Sequence, residues 1–348
     1  MIRNTKVQLG VGILLSALFL YLALRPVSLS DLAGALGRVN WLWAAPVVII
    51  TFLSMYLRAV RWRWLIRPEG DFSAGRLFSP MMAGFGINSI FPGRLGEFAR
   101  AYVLARREKL SVAAIFATIV VERIFDSVIL LILLPVALAS ARIDPAFSIT
   151  YGRFTVTPAD IEGLAHKLAV MCAVLSGGAL LMIWGPSRRL IQAVIVRLPG
   201  LPHRVRDFLV QMINNFVRGF ASLRDARSWI VVTALTVAIW ITVGWSFQVM
   251  AYGFDGMRMT LMQGTAIMVI TCFAILIPAA PGYWGLMQIG IVFGMYLLHV
   301  ETEYPRALAY ALVLHALQYF PIVAVGMFCL YREHVSLSEV TRARDGET

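Results

Sequence analysis

The residues best suited to chemistry sit in the stretch NSIFPGRLGEFAR, 88–100. An apolar run that begins like a membrane helix stops at Pro92-Gly93, and Arg94, Glu97 and Arg100 follow at once. Proline lacks an N–H and glycine tolerates positive φ, so the pair makes a turn. A helix restarting after the turn has N–H groups without intrahelical partners. Those groups and the helix dipole favour an anion, and Arg94 adds a full positive charge. Binding of an anionic group is the expected chemistry, with Gly93, Arg94, Gly96 and Arg100, and Arg123 further along the chain, as candidate substrate-binding residues.

A second constellation lies in IVVERIFDSVILLILL, where Glu122, Arg123 and Asp126 interrupt an apolar run. Glu122 falls about 17 Å into its helix. A charged side chain at such depth costs about 2.5–3.5 kcal/mol on insertion scales. Glu122 and Asp126, four apart, share one helix face and repel unless paired. Arg94, Arg100 or Arg123 can pair with them, which would place this helix beside the break at 92–93. Two readings stay open: direct contact with substrate or protons, in which Glu97, Glu122 and Asp126 balance the arginines and carry a coupling proton, or a buried network that only fixes the break. Further on, APGYWGL at 280–286 repeats the P-G-x-x-G pattern of FPGRLGE at 91–97. Gly282, Tyr283, Trp284 and Gln288 are the candidate substrate-binding residues there. His315, with Gln318 and Tyr319 nearby, reads as a packing residue or a proton carrier.

No metal or cofactor is expected. Cys172, Cys272 and Cys329 lie in apolar runs, and the five histidines are scattered. Asp160-x-Glu162 reads as plain loop. No nucleotide-binding loop is present, so ATP is not the expected drive.

The elements that position these residues follow from composition. Of the 348 residues 59% are hydrophobic and 14% charged, against about 25% charged in a soluble domain. That predicts an all-α polytopic membrane protein. The net charge of +12 reflects arginine-rich loops under the positive-inside rule rather than nucleic-acid binding. Six apolar segments are expected to be full spans: 7–24 (uncleaved), 41–57, 111–139, 166–184, 229–251 and 306–331. The arginine-rich links 58–76 and 185–228, the tail and the N-terminus are placed in the cytoplasm, and loops 25–40, 140–165, 252–259 and 299–305 outside. Regions 77–106 and 260–298 must then leave and return on the same side, which makes them re-entrant hairpins of opposite orientation. The chain reads as one transmembrane domain, 1–348. A first repeat, 41–139, and a second, 229–331, are inverted, and broken helices in inverted repeats mark transporters. Between them 185–228 is a basic amphipathic connector.

The stretches NSIFPGRLGEFARAYVL, SVAAIFATIVVERIFDSVILL and IPAAPGYWGLMQ resemble the flippase-like family named after the transmembrane region of lysylphosphatidylglycerol synthase. The resemblance spans about 7–331. Tyr283, Trp284 and Gln288 stand where many members have glycine-rich sequence and a glutamate. It implies movement of aminoacylated phospholipids, polyprenyl phosphates or other lipid-linked sugars, without the synthase activity, which belongs to a separate domain. The reading is a flippase or transporter for an anionic phospholipid or polyprenyl-phosphate-linked lipid, in the inner membrane with both termini cytoplasmic. A lipid-modifying glycosyltransferase or aminoacyltransferase is the partner class, and nucleic acid is not. The alternatives are a membrane transferase using lipid-linked sugar, and a non-transporting partner of a lipid-modifying enzyme.

Overall fold

The computed structural model describes residues 5–91, 95–140, 149–151, 154–157, scattered positions between 159 and 178, 185–197, Arg206, Phe220, Leu223, 225–275, 281–335 and 339–340. Their regular structure is helical apart from one short antiparallel pair, β1 (Ile149–Tyr151) and β2 (Phe154–Val156), within the expected outer loop 140–165. The helices are α1 (Thr5–Leu24), α2 (Leu29–Gly37), α3 (Ala44–Leu65), α4 (Ala74–Ile90), α5 (Leu95–Glu108) and α6 (Val112–Ser140). After the strands come α7 (Gly185–Arg197), α8 (Ala226–Ala251), α9 (Leu261–Ala274), α10 (Leu286–Leu297) and α11 (Tyr304–Arg332).

Local sequence explains the boundaries. Ser73 and Asp225 cap α4 and α8 by accepting from the backbone N–H three residues on. Thr260 and Gln263 form a full capping box on α9. Pro305 opens α11 where its missing N–H costs nothing.

Among the described residues three stretches are long and apolar enough to cross a membrane: Trp41–Leu65, Ala226–Ala251 and Tyr304–Arg332. A fourth is the pair Leu14–Leu24 and Leu29–Gly37 taken together, although it bends by 85°. The expected loop 25–40 therefore contains a helix, capped at its start by Ser28. Helix α6 is 29 residues long but carries Glu122, Arg123 and Asp126. Much of the expected span 166–184, and of the connector 185–228 the stretch 198–224 apart from Arg206, Phe220 and Leu223, lie outside the described residues. Within the connector, α7 exposes Leu190, Val194 and Val196.

Two breaks organise the bundle. Helices α4 and α5 fold back on each other antiparallel: Arg76 reaches Glu108 at 3.0 Å, and Gly84 packs on Gly96. Helices α9 and α10 do the same, with Gln263 near Leu298 and Gly294 against Ile267. The first pair packs among the C-terminal halves of α3 and α11 and the N-terminal halves of α6 and α8. The second pair packs at the other end of the bundle, among the opposite halves of the same four helices.

The packing partners also correspond. Helix α4 lies on α11 as α9 lies on α6; α3 on α4 as α8 on α9; α5 on α6 as α10 on α11; and α3 on α11 as α8 on α6. Helices α3 and α8 cross each other at the centre. Small residues permit the closest crossings. A Cβ on Gly84 would sit 2.6 Å from the Gly96 carbonyl oxygen, and one on Gly86 would sit 3.0 Å from the Gly326 Cα. Gly-to-backbone approach of this kind is how helices pack without a hydrophobic drive.

Candidate anion site at the broken helices

Helices α3, α5 and α6 bring a charge network into the interior. Asp126 accepts two hydrogen bonds from Arg61, at 2.6 and 3.2 Å, and Trp240 Nε1–H donates to it at 3.1 Å. Glu122 accepts two from Arg100, also at 2.6 and 3.2 Å. Such two-pronged pairs are the strong form of the arginine–carboxylate bond. Arg61 donates further to Thr236, 3.0 Å away on α8. The Arg100 guanidinium lies 3.6 Å from the Trp62 ring centroid. Glu122 and Arg61 are 1% and 0% exposed. Burial of that degree is tolerable only because each charge has a partner.

Arg123 is different: its side chain is one-third exposed and lies 3.5 Å from Asp126, 3.7 Å from Glu97 and 3.9 Å from Glu122. Arg58, on α3, comes only within 3.8 Å of Asp126 and rests near the rings of Trp240 and Phe85, at 5.0 and 5.8 Å. Four arginines (Arg58, Arg61, Arg100, Arg123) thus meet three carboxylates (Glu97, Glu122, Asp126), so the described network carries one excess positive charge.

Several sequence expectations change here. Arg58 and Arg61 were assigned to a cytoplasmic link, but α3 continues to Leu65 and buries both. The signal was available: Met55, Arg58, Arg61, Trp62 and Leu65 follow one helix face, while Arg63 lies off it and pairs with exposed Asp71. Gly93 and Arg94 lie outside the described residues. The backbone N–H of Gly96, expected to be open for an anion, is taken by Asn88 Oδ1 at 2.7 Å.

The second break is built alike but without charge. Gly282 has φ +71° and Gly285 φ +89°, and Tyr283 shares the left-handed region at φ 57°. Gly285 N–H donates to Gln288 Oε1 at 2.7 Å, as Gly96 donates to Asn88. That bond fixes the amide orientation, so Gln288 Nε2 donates to His315 Nδ1 at 2.9 Å. Trp284 stacks on His315, with ring centroids 4.3 Å apart. Tyr319 O–H donates to the Ser89 carbonyl at 3.2 Å, joining the second break to the last turn of α4, beside the first. Helix α1 covers the second break at Gly285.

Elsewhere, a concavity of about 410 Å³ between α2 and the start of α11 is lined by Asp31, Arg38, Asp255 and Arg306 among others, and contains no network residue. Asp160 is exposed and caps its own turn through Thr157, whose hydrogen bonds hold its carboxyl below the usual range. Glu162 lies outside the described residues. Among the described residues no group of three His, Cys, Asp or Glu could hold a metal.

Comparison with known proteins gives this architecture a family. The profile of the lysylphosphatidylglycerol synthase transmembrane region matches residues 9–326. The chain belongs to that family. It is an integral membrane protein with transmembrane helices. Glycosyltransferase AglD of Haloferax volcanii is 25% identical over 98% of this chain, and the match covers 58% of that relative's length. A UPF0104 membrane protein of Methanocaldococcus jannaschii is 23% identical over 72% of this chain and 70% of its own. A UPF0104 membrane protein of Methanothermobacter thermautotrophicus is 27% identical over 28% of this chain and 30% of its own. No solved structure matches.

Proposed function

We propose that this protein is a lipid transporter, a flippase or scramblase, for a phosphate-bearing anionic lipid: a phospholipid or a polyprenyl-phosphate-linked lipid. The observation that carries the reading is the buried network with more arginine than carboxylate, placed beside the meeting point of two broken helix pairs. In this reading 41–139 and 229–331 are inverted repeats. Their breaks enter as re-entrant hairpins, 77–106 from the cytoplasmic side and 260–298 from the outer side, with the termini in the cytoplasm of the inner membrane. The matched packing of α3–α6 and α8–α11, and the seating of the two pairs at opposite ends of the bundle, support it. Inverted repeats with interrupted helices at the midplane are the architecture of many transporters.

The mechanism assigns the headgroup to the centre and leaves the tail in the bilayer. Arginine suits a phosphate because its planar fork donates to two oxygens at once. Arg123, at the edge of the network, meets the headgroup as it enters, and Arg94 is proposed to act with it. Asn88 and Gln288 hold the breaks in shape by capping Gly96 and Gly285. The Tyr319–Ser89 bond closes the path between the breaks and must part for the headgroup to pass. Tyr283 and Trp284, half-buried beside it, wall the path. A lipid-modifying glycosyltransferase or aminoacyltransferase would act on the same lipid; the printed name of the Haloferax volcanii relative is in keeping with the first.

The test is reconstitution into liposomes with fluorescent phospholipid and polyprenyl-phosphate probes, scored by accessibility to a membrane-impermeant quencher. Wild type is expected to move at least one probe, and Arg94→Ala and Glu122→Gln to slow it. If wild type moves none, and both variants leave the host's envelope lipids unchanged, the transporter reading fails.

A further inference from the structure

Arg58 and Arg123 are the two cations of the described network whose side chains make no hydrogen bond among the described residues, and of the two Arg58 is the buried one. Arg61 makes three hydrogen bonds and Arg100 two, all at 3.2 Å or less. Arg123 is one-third exposed and can turn to water. Arg58 is 6% exposed; the Nε of all four arginines lacks a partner among the described residues, but the terminal nitrogens of Arg61 and Arg100 are bonded and those of Arg58 are not. Its nearest carboxylate oxygen, on Asp126, is 3.8 Å away, beyond hydrogen-bond range. That carboxylate is already occupied by Arg61 and Trp240. The faces around the guanidinium are aromatic, Phe85 on α4 and Trp240 on α8. Rings stabilise a cation from the side but accept none of its in-plane N–H groups.

A buried guanidinium that makes no hydrogen bond is expensive, and native interiors rarely retain one. Among the buried arginines, the excess charge of the network and the unbonded terminal nitrogens therefore coincide on Arg58. Resting on the transporter reading, we infer that Arg58, backed by Trp240, is the seat of the substrate's phosphate oxyanion, while Arg61 and Arg100 are structural. A phosphate oxygen pair matches the guanidinium fork. Binding would also cancel the single excess charge, something a neutral headgroup could not do.

The experiment uses the full chain in dodecylmaltoside and follows thermal stability while phosphatidylglycerol or inorganic phosphate is added, since a ligand that binds only the folded state raises the transition temperature. Wild type is expected to be stabilised by phosphatidylglycerol, and Arg58→Gln to bind it about tenfold or more weakly. Stabilisation by phosphate as well, lost in the same variant, identifies a seat for the oxyanion itself; stabilisation by the lipid alone identifies a seat that also needs the glycerol backbone or tail. If Arg58→Gln does not fold, Arg58→Lys keeps the charge beside Asp126 but loses the fork, and the same weakening is expected. Unchanged affinity in the folded variants, or no stabilisation of wild type by either probe, overturns the assignment. Wild-type transport with Arg58-independent binding removes the seat and leaves the transporter. Arg58-dependent binding without transport removes the transporter and leaves the seat.

Discussion

The Arg100–Glu122 pair allows a quantitative test of the network as a folded-state object. Glu122 is 1% exposed and Arg100 4%, with both guanidinium forks bonded. Removing one partner of a buried pair leaves an uncompensated charge and costs about 3–5 kcal/mol. The two single changes are not equivalent here. Arg100→Gln takes the described network from one excess positive charge to neutral. Glu122→Gln takes it to two, and removes the anion that also lies 3.9 Å from Arg61 and from Arg123. Glu122→Gln is therefore expected at the upper end of that range and Arg100→Gln at the lower. The double variant restores the original net charge and leaves two amides able to bond each other. Its cost should fall short of the sum by about 2–3 kcal/mol, near the upper limit for coupled neighbours. Reversible unfolding in mixed dodecylmaltoside and sodium dodecyl sulfate micelles, followed by circular dichroism, measures all four proteins. Additive costs, with no coupling, would refute the pair and with it the seating of α5 against α6.

Gly84→Ala forces a Cβ to within 2.6 Å of the Gly96 carbonyl and should cost about 1–3 kcal/mol in the same unfolding assay. Gln288→Leu strips Gly285 N–H and His315 of their partner and should cost about 1–3 kcal/mol; a neutral result would mean the second break is held by packing alone. In a background without native cysteines, Pro68→Cys and Lys109→Cys should react with an impermeant maleimide from one side of the membrane and Thr302→Cys from the other; labelling of 68 and 109 from opposite sides removes the first hairpin. Asp225, held below its ordinary value of 3.8 by the Ser228 hydroxyl and backbone N–H, stabilises α8 only while ionised. Because its folded value is the lower one, the wild-type advantage over Asp225→Asn should be full near neutral pH and disappear as pH falls through and below 3.8.

What the sequence made legible was whatever leaves a periodic or chemical mark. Apolar runs mark α3, α8 and α11. Pro-Gly marks both breaks, and the depth of Glu122 and Asp126 in an apolar run announces that partners must exist. Arg58 and Arg61 were missed because arginine at a helix end carries two meanings. Counting it as a sidedness signal discards its helical phase, and only phase separates these two from Arg63. Helix α2 escaped notice because its nine residues form an apolar patch too short to stand out from a loop. The capping of Gly96 by Asn88 could not be read either, since it depends on how closely α4 and α5 approach, a distance set by Gly84, one turn before Asn88.

The two halves solve one mechanical problem in two ways. Helix α5 must be tied to α6, and α10 to α11, next to a broken helix whose glycine N–H is capped by a side-chain amide. The second half does this with Gln288 and His315, two neutral groups that satisfy each other and the backbone. The first half uses Arg100 and Glu122 and surrounds them with Arg58, Arg61, Arg123, Glu97 and Asp126. Ionised groups in a membrane interior are costly, and buried pairs seldom repay their desolvation. A fold that locks one helix pair with an amide and an imidazole has no mechanical need of seven charges for the other. Structure alone accounts for a balanced pair; it does not account for Arg58, a buried arginine whose side chain makes no hydrogen bond among the described residues. The charge asymmetry between otherwise corresponding halves is thus the feature that argues for a ligand, and the sign of the excess argues that the ligand is an anion.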